Sequence, residues 1–398
     1  MKKFKISIFV VLVILIVIVA VKAENLKRLY YAMTLFDKEL IVDNFSNMAS
    51  LFPSTEIEAT TDASTFDQEL KPLPSHYKYK NNDRSVPDFL DKTSTTALLV
   101  VKGNTITYES YFQGTTGKDY RISWSTAKSF LSALFGIAVH EGTIKSIEEP
   151  VTNYVPELIN TGYDGVRIKD VLQMSSGVHF NEDYYDFDSD INRFGRTFAL
   201  GGSFDEFAAT LVRDKTPGTY LHYVSIDTHV LGMVIRAATG RSIVDYFNEK
   251  LWSKIQPESS VYYIVDNKNE PMVLGGMNLR TRDFARFGQL YLNNGNWKGE
   301  QVVPRDWVQA SITPDAPHLI PGKRESAKLN LGYGYQWWIP EESDQEFLAL
   351  GIYGQYIYVN QKSGVVIVKN SAHIEFAEND FESATEAVAF FRAVAESI

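Results

Sequence analysis

Residues 124–140 have the sequence WSTAKSFLSALFGIAVH, in which a serine stands three positions before a lysine. Apolar side chains recur through this stretch on a helical period, and Gly142 is a suitable stop. A serine and a lysine at this spacing lie on one face of a helix, within hydrogen-bonding reach. A serine hydroxyl is a weak nucleophile until a neighbouring base removes its proton. We therefore predict that Ser125 is a nucleophile and that Lys128 is its base.

The Ser-x-x-Lys pattern is short enough to occur by chance, and the chain contains a second copy at Ser75-His76-Tyr77-Lys78. That copy lies in a polar, proline-flanked stretch without helical periodicity, so we interpret it as accidental. For Ser125 itself the structural alternative is a helix N-cap, a position where serine is common. A second motif further along the chain favours the catalytic interpretation.

That motif begins at Pro217-Gly218 and leads to Tyr223-Val224-Ser225. Together with Ser125-Thr126-Ala127-Lys128, it resembles the serine β-lactamases of class C type and their esterase, carboxypeptidase and amide-hydrolase relatives. Residues 168–177 and 275–288 resemble two further segments of that family, so that the similarity covers about residues 90–395. The resemblance implies that Tyr223 lies beside Ser125 as a phenolate or proton shuttle. It also implies that Ser225 donates a hydrogen bond to the substrate or to Lys128.

The family's third motif, a Lys-Thr-Gly strand, is altered in this chain. Lys362-Ser363-Gly364 joins two strand-like runs and is predicted to form a hairpin turn away from the site. The better match is Ala349-Leu350-Gly351-Ile352, where Gly351 allows close backbone approach to the substrate. The N–H groups of Ser125 and Ile352 would then form the oxyanion hole. Alanine and leucine replace the Lys-Thr pair that binds the carboxylate of β-lactams, which weakens the expectation of β-lactamase or carboxypeptidase activity.

Within the family, residues 351–355 and the loop Asn181-Glu182-Asp183-Tyr184-Tyr185 are most similar to 6-aminohexanoate-dimer hydrolases. That similarity implies that Tyr184 hydrogen-bonds the amide nitrogen of the leaving group, with Tyr185 as an adjacent competitor. The alternative is a tyrosine-rich surface loop without a catalytic role. Three aspartates that follow this loop suggest a calcium site only weakly, because the glycine and glutamate of a calcium loop are absent.

Composition excludes several other classes of function. The chain contains no cysteine, so disulfides, thiolate metal sites and a cysteine nucleophile are absent. Its seven histidines form neither a His-x-His nor a His-Glu-x-x-His pair, and no Gly-x-Ser-x-Gly elbow or phosphate loop occurs. The formal net charge of −10 argues against a nucleic-acid partner. We expect no metal and no organic cofactor.

The amino terminus has the pattern of a membrane-targeting segment. Three lysines at positions 2, 3 and 5 precede an apolar run over residues 6–21. Its length lies between that of a secretory signal and that of a spanning helix. We predict that residues 1–23 are an uncleaved anchor, with a removed signal as the alternative. The lysines would stay in the cytoplasm, so that the catalytic domain lies in the periplasm or outside the cell, tethered to the bacterial inner membrane or secreted.

The rest of the chain divides into a predicted stalk or linker over residues 24–86 and a catalytic domain over residues 87–398. Strand-like runs lie at both ends of that domain, and residues of about 124–254 are mostly helical. We predict an α/β (α+β) fold of the β-lactamase/transpeptidase type, an antiparallel sheet flanked by helices with an inserted all-helical subdomain.

The predicted function is hydrolysis of a small-molecule ester or amide through an acyl-enzyme intermediate. Ser125 is the nucleophile, and Lys128 and Tyr223 transfer its protons. Two alternatives remain. One is a penicillin-binding D-Ala carboxypeptidase or β-lactamase. The other is a non-hydrolytic module that binds peptidoglycan or acts as a sensor, although such a module has no need of all three side chains.

Overall fold

A computed structural model of the chain describes residues 25–324 and 329–398. The predicted anchor at residues 1–23 lies outside these ranges. Within them, no helix has both the length and the apolar composition needed to cross a bilayer.

An eight-stranded sheet forms the centre of the molecule, with the strand order β12-β13-β14-β15-β16-β5-β6-β2. Neighbouring strands are antiparallel except for the short β2, which runs parallel to β6. Strands from both ends of the catalytic domain meet where β16 pairs with β5, as predicted. The strands are β2 (Asp67–Gln68), β5 (Thr95–Lys102), β6 (Thr105–Tyr111), β12 (Gly332–Tyr333), β13 (Trp338–Ile339), β14 (Glu346–Gly351), β15 (Gln355–Asn360) and β16 (Val365–Ser371).

Helices cover both faces of this sheet, which explains why its inner strands are apolar along their whole length. In β5 every residue from Thr95 to Val101 is buried. Helix α10 (Thr281–Leu292) packs on β5, β15 and β16, and the ring of Phe391 in α12 (Glu382–Ser397) contacts Tyr356 and Tyr358 of β15. The short helix α3 (Val86–Lys92) contacts β5, and α11 (Arg305–Ser311) contacts the helix over Ala127–His140.

Residues 123–260 contain only helices among their named elements, in agreement with the predicted helical subdomain. The first is α4, which carries Lys128, and α8 begins directly after Tyr223. The helices are α4 (Ala127–His140), α5 (Ile168–Leu172), α6 (Asp190–Ala199), α7 (Phe204–Ala208), α8 (Ser225–Thr239) and α9 (Ile243–Phe247).

A four-stranded antiparallel sheet of order β1-β8-β9-β7 lies next to this subdomain. The residue after β7, Ser123, donates its backbone N–H to the carbonyl oxygen of Met277 in β9 at 2.7 Å. This bond holds the chain immediately before Ser125, the predicted nucleophile. The strands are β1 (Ser54–Ile57), β7 (Arg121–Ile122), β8 (Val261–Ile264) and β9 (Met277–Leu279), and a separate hairpin joins β10 (Asn296–Trp297) to β11 (Glu300–Gln301).

The prediction of a stalk or linker over residues 24–86 is wrong for most of that segment. A helix, α1, occupies residues 25–34, and α2 (Ile41–Leu51) buries Phe45 and Met48 in the core. Strand β1 pairs with β8, and the hairpin of β3 (His76–Tyr79) and β4 (Asn82–Ser85) packs against α12. Each of these elements is short and buries only a few apolar side chains. The burial therefore comes from tertiary contacts that the polar composition of the segment does not reveal.

Candidate active site

Ser125 lies in a single 3-10 turn, Trp124–Thr126, that leads directly into α4. Lys128 follows in the first turn of α4, and its Nζ donates a hydrogen bond to Ser125 Oγ at 3.0 Å. The same Nζ donates to the carbonyl oxygen of Leu274 at 2.7 Å. Lys128 is buried, and burial lowers its pKa to about 7, although the negative charges of Glu182 and Asp227 oppose the shift. A large fraction of this amine is neutral near pH 7 and able to accept a proton.

Tyr223 completes the predicted group. Its side chain lies beside Ser125, which opposes the rise in the pKa of Tyr223, and its ring centroid lies 5.4 Å from Lys128 Nζ. Burial raises the pKa of Tyr223 above its usual range, and the charge of Glu182 raises it further. The tyrosine is therefore a protonated phenol at neutral pH, which favours a proton shuttle over a phenolate base. Its ring stacks on Trp338 with centroids 5.5 Å apart, which fixes its orientation.

Gly351 ends β14 beside Ser125. A β-carbon added at this glycine would lie 2.7 Å from Ser123 O and 3.1 Å from Ser125 N, so only glycine permits this approach. Ile352, the next residue and the predicted oxyanion donor, lines the cavities around Ser125. Lys362 lies in the turn between β15 and β16 and pairs with Asp344, away from the site, also as predicted.

Two aromatic residues with left-handed backbone conformations flank the predicted oxyanion donors. Trp124 precedes Ser125 with φ of 41°, and Tyr353 follows Ile352 with φ of 61°. Each such residue costs about 1–3 kcal/mol and persists only where its surroundings hold it. The rings of Trp124 and Tyr353 lie 6.0 Å apart, and Phe45 of α2 contacts them at 5.5 and 5.3 Å. The segment predicted to be a linker thus supports the backbone on both sides of the site.

Glu182 is a site residue that the sequence reasoning did not single out. Its carboxylate accepts hydrogen bonds from Tyr184 Oη at 2.7 Å, from Ser225 Oγ at 2.5 Å and from Ser225 N at 3.1 Å. Ser225 is the first residue of α8, so the charge lies at the positive end of that helix. The expectation that Ser225 donates to the substrate or Lys128 is corrected here, because its hydroxyl proton points to Glu182. The one feature of the sequence that could have identified Glu182 is its position within the Asn181–Tyr185 motif.

The loop over residues 181–190 presents Tyr184 to the site and leaves Tyr185 mostly in solvent. Tyr184 packs against the core and lines the cavities around Ser125, whereas Tyr185 is 62% exposed. The acidic side chains of the loop form internal hydrogen bonds; Asp190 Oδ2, for example, accepts from Asn181 N at 2.8 Å. Over the described ranges, no group of three or more histidine or acidic side chains is arranged to hold a metal ion.

Comparison with known proteins decides the family. The family model described as Beta-lactamase matches residues 83–389. This chain belongs to the Beta-lactamase family. A curated relative, the 6-aminohexanoate-dimer hydrolase of Paenarthrobacter ureafaciens, is 30% identical over 291 residues, which are 71% of this chain and 74% of the relative.

Solved structures share this fold. A protein of Bacillus anthracis assigned as a 6-aminohexanoate-dimer hydrolase superposes with a TM-score of 0.81 at 24% identity, over 91% of this chain and 95% of its own. A penicillin-binding protein from Bacillus halodurans gives a TM-score of 0.57 at 16% identity, over 76% and 99%. The predicted resemblance is confirmed, and the chain is an enzyme of the serine β-lactamase type.

Proposed function

We propose that this enzyme hydrolyses linear amides and esters through an acyl-enzyme formed on Ser125. One observation carries the proposal: the amine of Lys128 is 3.0 Å from Ser125 Oγ, and burial lowers its pKa to about 7. A neutral amine at this distance accepts the serine proton as the oxygen attacks. The substrate oxygen would rest on the N–H groups of Ser125 and Ile352.

Proton transfer to the leaving group assigns roles to the two tyrosines. Tyr223 keeps its proton at neutral pH and lies beside Ser125 and Lys128, so it passes a proton to the leaving atom and regains one from Lys128. Tyr184 donates its own hydroxyl proton to Glu182. Its oxygen is therefore directed to accept, which suits the N–H of an amide leaving group. Water then attacks the acyl-enzyme, with the same pair moving its protons in reverse.

The relative from Paenarthrobacter ureafaciens suggests a first amide substrate, the 6-aminohexanoate dimer. Binding of β-lactams is less favoured, because apolar Ala349 and Leu350 precede Gly351 and Leu350 lines the cavity. An apolar wall offers no partner for the carboxylate of a β-lactam. Stable labelling by a fluorescent penicillin would instead favour the penicillin-binding alternative.

The decisive experiment compares the native enzyme with Ser125→Ala and Ser75→Ala on p-nitrophenyl butyrate and on the 6-aminohexanoate dimer. Ser75 belongs to the second Ser-x-x-Lys copy, which lies outside the site at the start of an exposed hairpin. We expect Ser125→Ala to lose turnover and Ser75→Ala to retain it. Mass spectrometry of the quenched reaction should show an added acyl mass on the native chain and on Ser75→Ala, but not on Ser125→Ala. Turnover by purified Ser125→Ala would contradict the assignment of the nucleophile.

The predicted location outside the inner membrane stays a proposal that depends on residues 1–23. The supporting feature is the lysine cluster followed by the apolar run over residues 6–21. Fractionation of expressing cells, together with intact-mass measurement of the amino terminus, distinguishes an anchor from a removed signal. Recovery of the full-length chain with the cytoplasmic contents would contradict both.

A further inference from the structure

Two cavities meet at Ser125. The first, of about 400 Å³, is lined by Glu182, His222, Tyr223 and Trp338 among others, and we call it the leaving-group cavity. The second, of about 440 Å³, extends from Ser125 towards α1 and α6, and we call it the acyl chamber. Ser125, Ile352 and the two loop tyrosines line both cavities. A carbonyl attacked by Ser125 therefore has space on each side, one side for each half of the substrate.

The position of the proton donor decides which half enters which cavity. Tyr223 lines the leaving-group cavity and is not part of the lining of the acyl chamber. Under the mechanism proposed above, the leaving atom takes its proton from Tyr223 and must lie on that side. The acyl half then points across the carbonyl into the acyl chamber. This assignment rests on the proposed function.

The acyl chamber is walled by apolar side chains from distant parts of the chain. Among the described residues that line it, none is acidic. Its polar Asn192 and Arg196 are already bound to backbone carbonyls of the 181–190 loop. A cavity of this size and composition suits an extended aliphatic chain. Arg196 is the one charged side chain among the described residues that line it, and the backbone of the 181–190 loop already holds it. Its inner wall consists of Phe52, Phe194, Phe198, Ile264, Met272 and Leu274.

The mouth of the acyl chamber carries exposed apolar side chains. Met33 and Phe187 line the chamber and are 73% and 71% exposed. Leu26 and Tyr30, which are also exposed, precede Met33 on the same face of α1 at helical spacing. Adjacent exposed apolar side chains around a cavity mark a surface that receives an apolar ligand. The mouth therefore suits a substrate with a hydrocarbon tail.

We propose that the acyl chamber is an acyl-chain binding site and that the preferred substrates are esters or amides of medium-length fatty acids. The small leaving half lies beside Tyr223, and the hydrocarbon lies between α1 and α6. Each methylene buried in the chamber should raise kcat/KM for the native enzyme about fourfold, the equivalent of about 0.8 kcal/mol. A series of p-nitrophenyl esters from acetate to dodecanoate measures this, because the leaving group is the same throughout.

Gly195 of α6 offers a way to obstruct the chamber. It lines the cavity, and a β-carbon added there would meet no atom within 4 Å. Gly195→Phe should lower the ratio of kcat/KM for decanoate to that for acetate at least tenfold. Leu200→Phe is the matched control, because Leu200 caps the same helix, is 62% exposed and lies outside both cavity linings. That control should keep the native ratio.

The ratio compares two substrates on one protein sample, so partial loss of folded enzyme leaves it unchanged. A native enzyme without a rise in kcat/KM from acetate to octanoate would overturn the acyl-chain site, as would a native ratio retained by Gly195→Phe. Neither result would contradict the proposed function. That function is tested separately by the loss of acetate turnover in Ser125→Ala.

Discussion

Replacement of Lys128 by methionine should abolish hydrolysis and yet stabilise the fold near neutral pH. Methionine has a similar volume and no charge, so it fills the buried space of Lys128 without the cost of desolvating an amine. A lysine kept only for structural ion pairing would behave in the opposite way, because its loss would destabilise the fold. The two readouts together therefore test whether the site carries a lysine for its chemistry.

The size of this stabilisation follows from the difference between the pKa of Lys128 in the folded protein and its pKa in the unfolded chain. The pKa of Lys128 is about 7 in the folded protein and 10.5 as the reference value for the unfolded chain. Between these values the unfolded chain binds the additional proton, so the native protein gains stability as pH rises. The buried amine costs the native fold about 4 kcal/mol at pH 7 and about 2 kcal/mol at pH 9.

Methionine leaves the carbonyl oxygen of Leu274 without its amine donor, which costs about 1–3 kcal/mol at every pH. This offset reduces the net gain at pH 7 but cancels from the comparison between two pH values. The free energy of unfolding of Lys128→Met relative to the native protein should thus fall by about 2 kcal/mol from pH 7 to pH 9. Urea titrations followed by tryptophan fluorescence measure it. A difference between the two proteins that does not vary with pH would refute a depressed pKa for Lys128.

Three further changes have defined outcomes. Phe45→Ala should lower the free energy of unfolding by about 3–5 kcal/mol in urea titrations. The kcat of the folded variant should also fall, because Trp124 and Tyr353 lose their shared contact. An unchanged kcat would show that α2 is not needed to hold the site. Glu182→Gln should shift the acidic limb of the pH profile of kcat/KM to lower pH. Glu182 raises the pKa of Lys128, and activity requires the neutral amine. A shift to higher pH would show that Glu182 does not raise this pKa. Gly351→Ala should lower kcat about 10²–10³-fold with the circular dichroism spectrum retained, because the new β-carbon displaces the chain at Ser125; native kcat would exclude the close approach.

The contact between Ser125 and Lys128 could be predicted from sequence because their relation is local. Ser125 and Lys128 are three residues apart at the start of one helix, and helical geometry alone brings them together. Tyr223 and Gly351 needed the family resemblance, since nothing local links them to Ser125. The structure places both beside the serine, where the resemblance implied.

The roles of Glu182 and Phe45 could not be predicted from the sequence. Glu182 was part of a quoted motif, but its contacts with Tyr184 and Ser225 depend on how the 181–190 loop folds against the start of α8. Phe45 lies in a segment whose composition resembles a linker, and its role appears only through its contacts with Trp124 and Tyr353. The acyl chamber likewise has no local pattern, because its wall is assembled from α1, α6 and the residues around Leu274.

The amino-acid sequence by itself determined the central strands, the nucleophile helix and the chemistry of the Ser125–Lys128 pair. Hydrophobic periodicity and residue spacing are local patterns that extend over a few turns of chain. They therefore predict these features without knowledge of which distant residues pack against them. Only the tertiary structure decided the burial that keeps the Lys128 amine neutral, the carboxylate that orients Tyr184 and the shape of the space for the substrate. These properties depend on which distant side chains exclude water from the site, and that is fixed only when the whole chain packs.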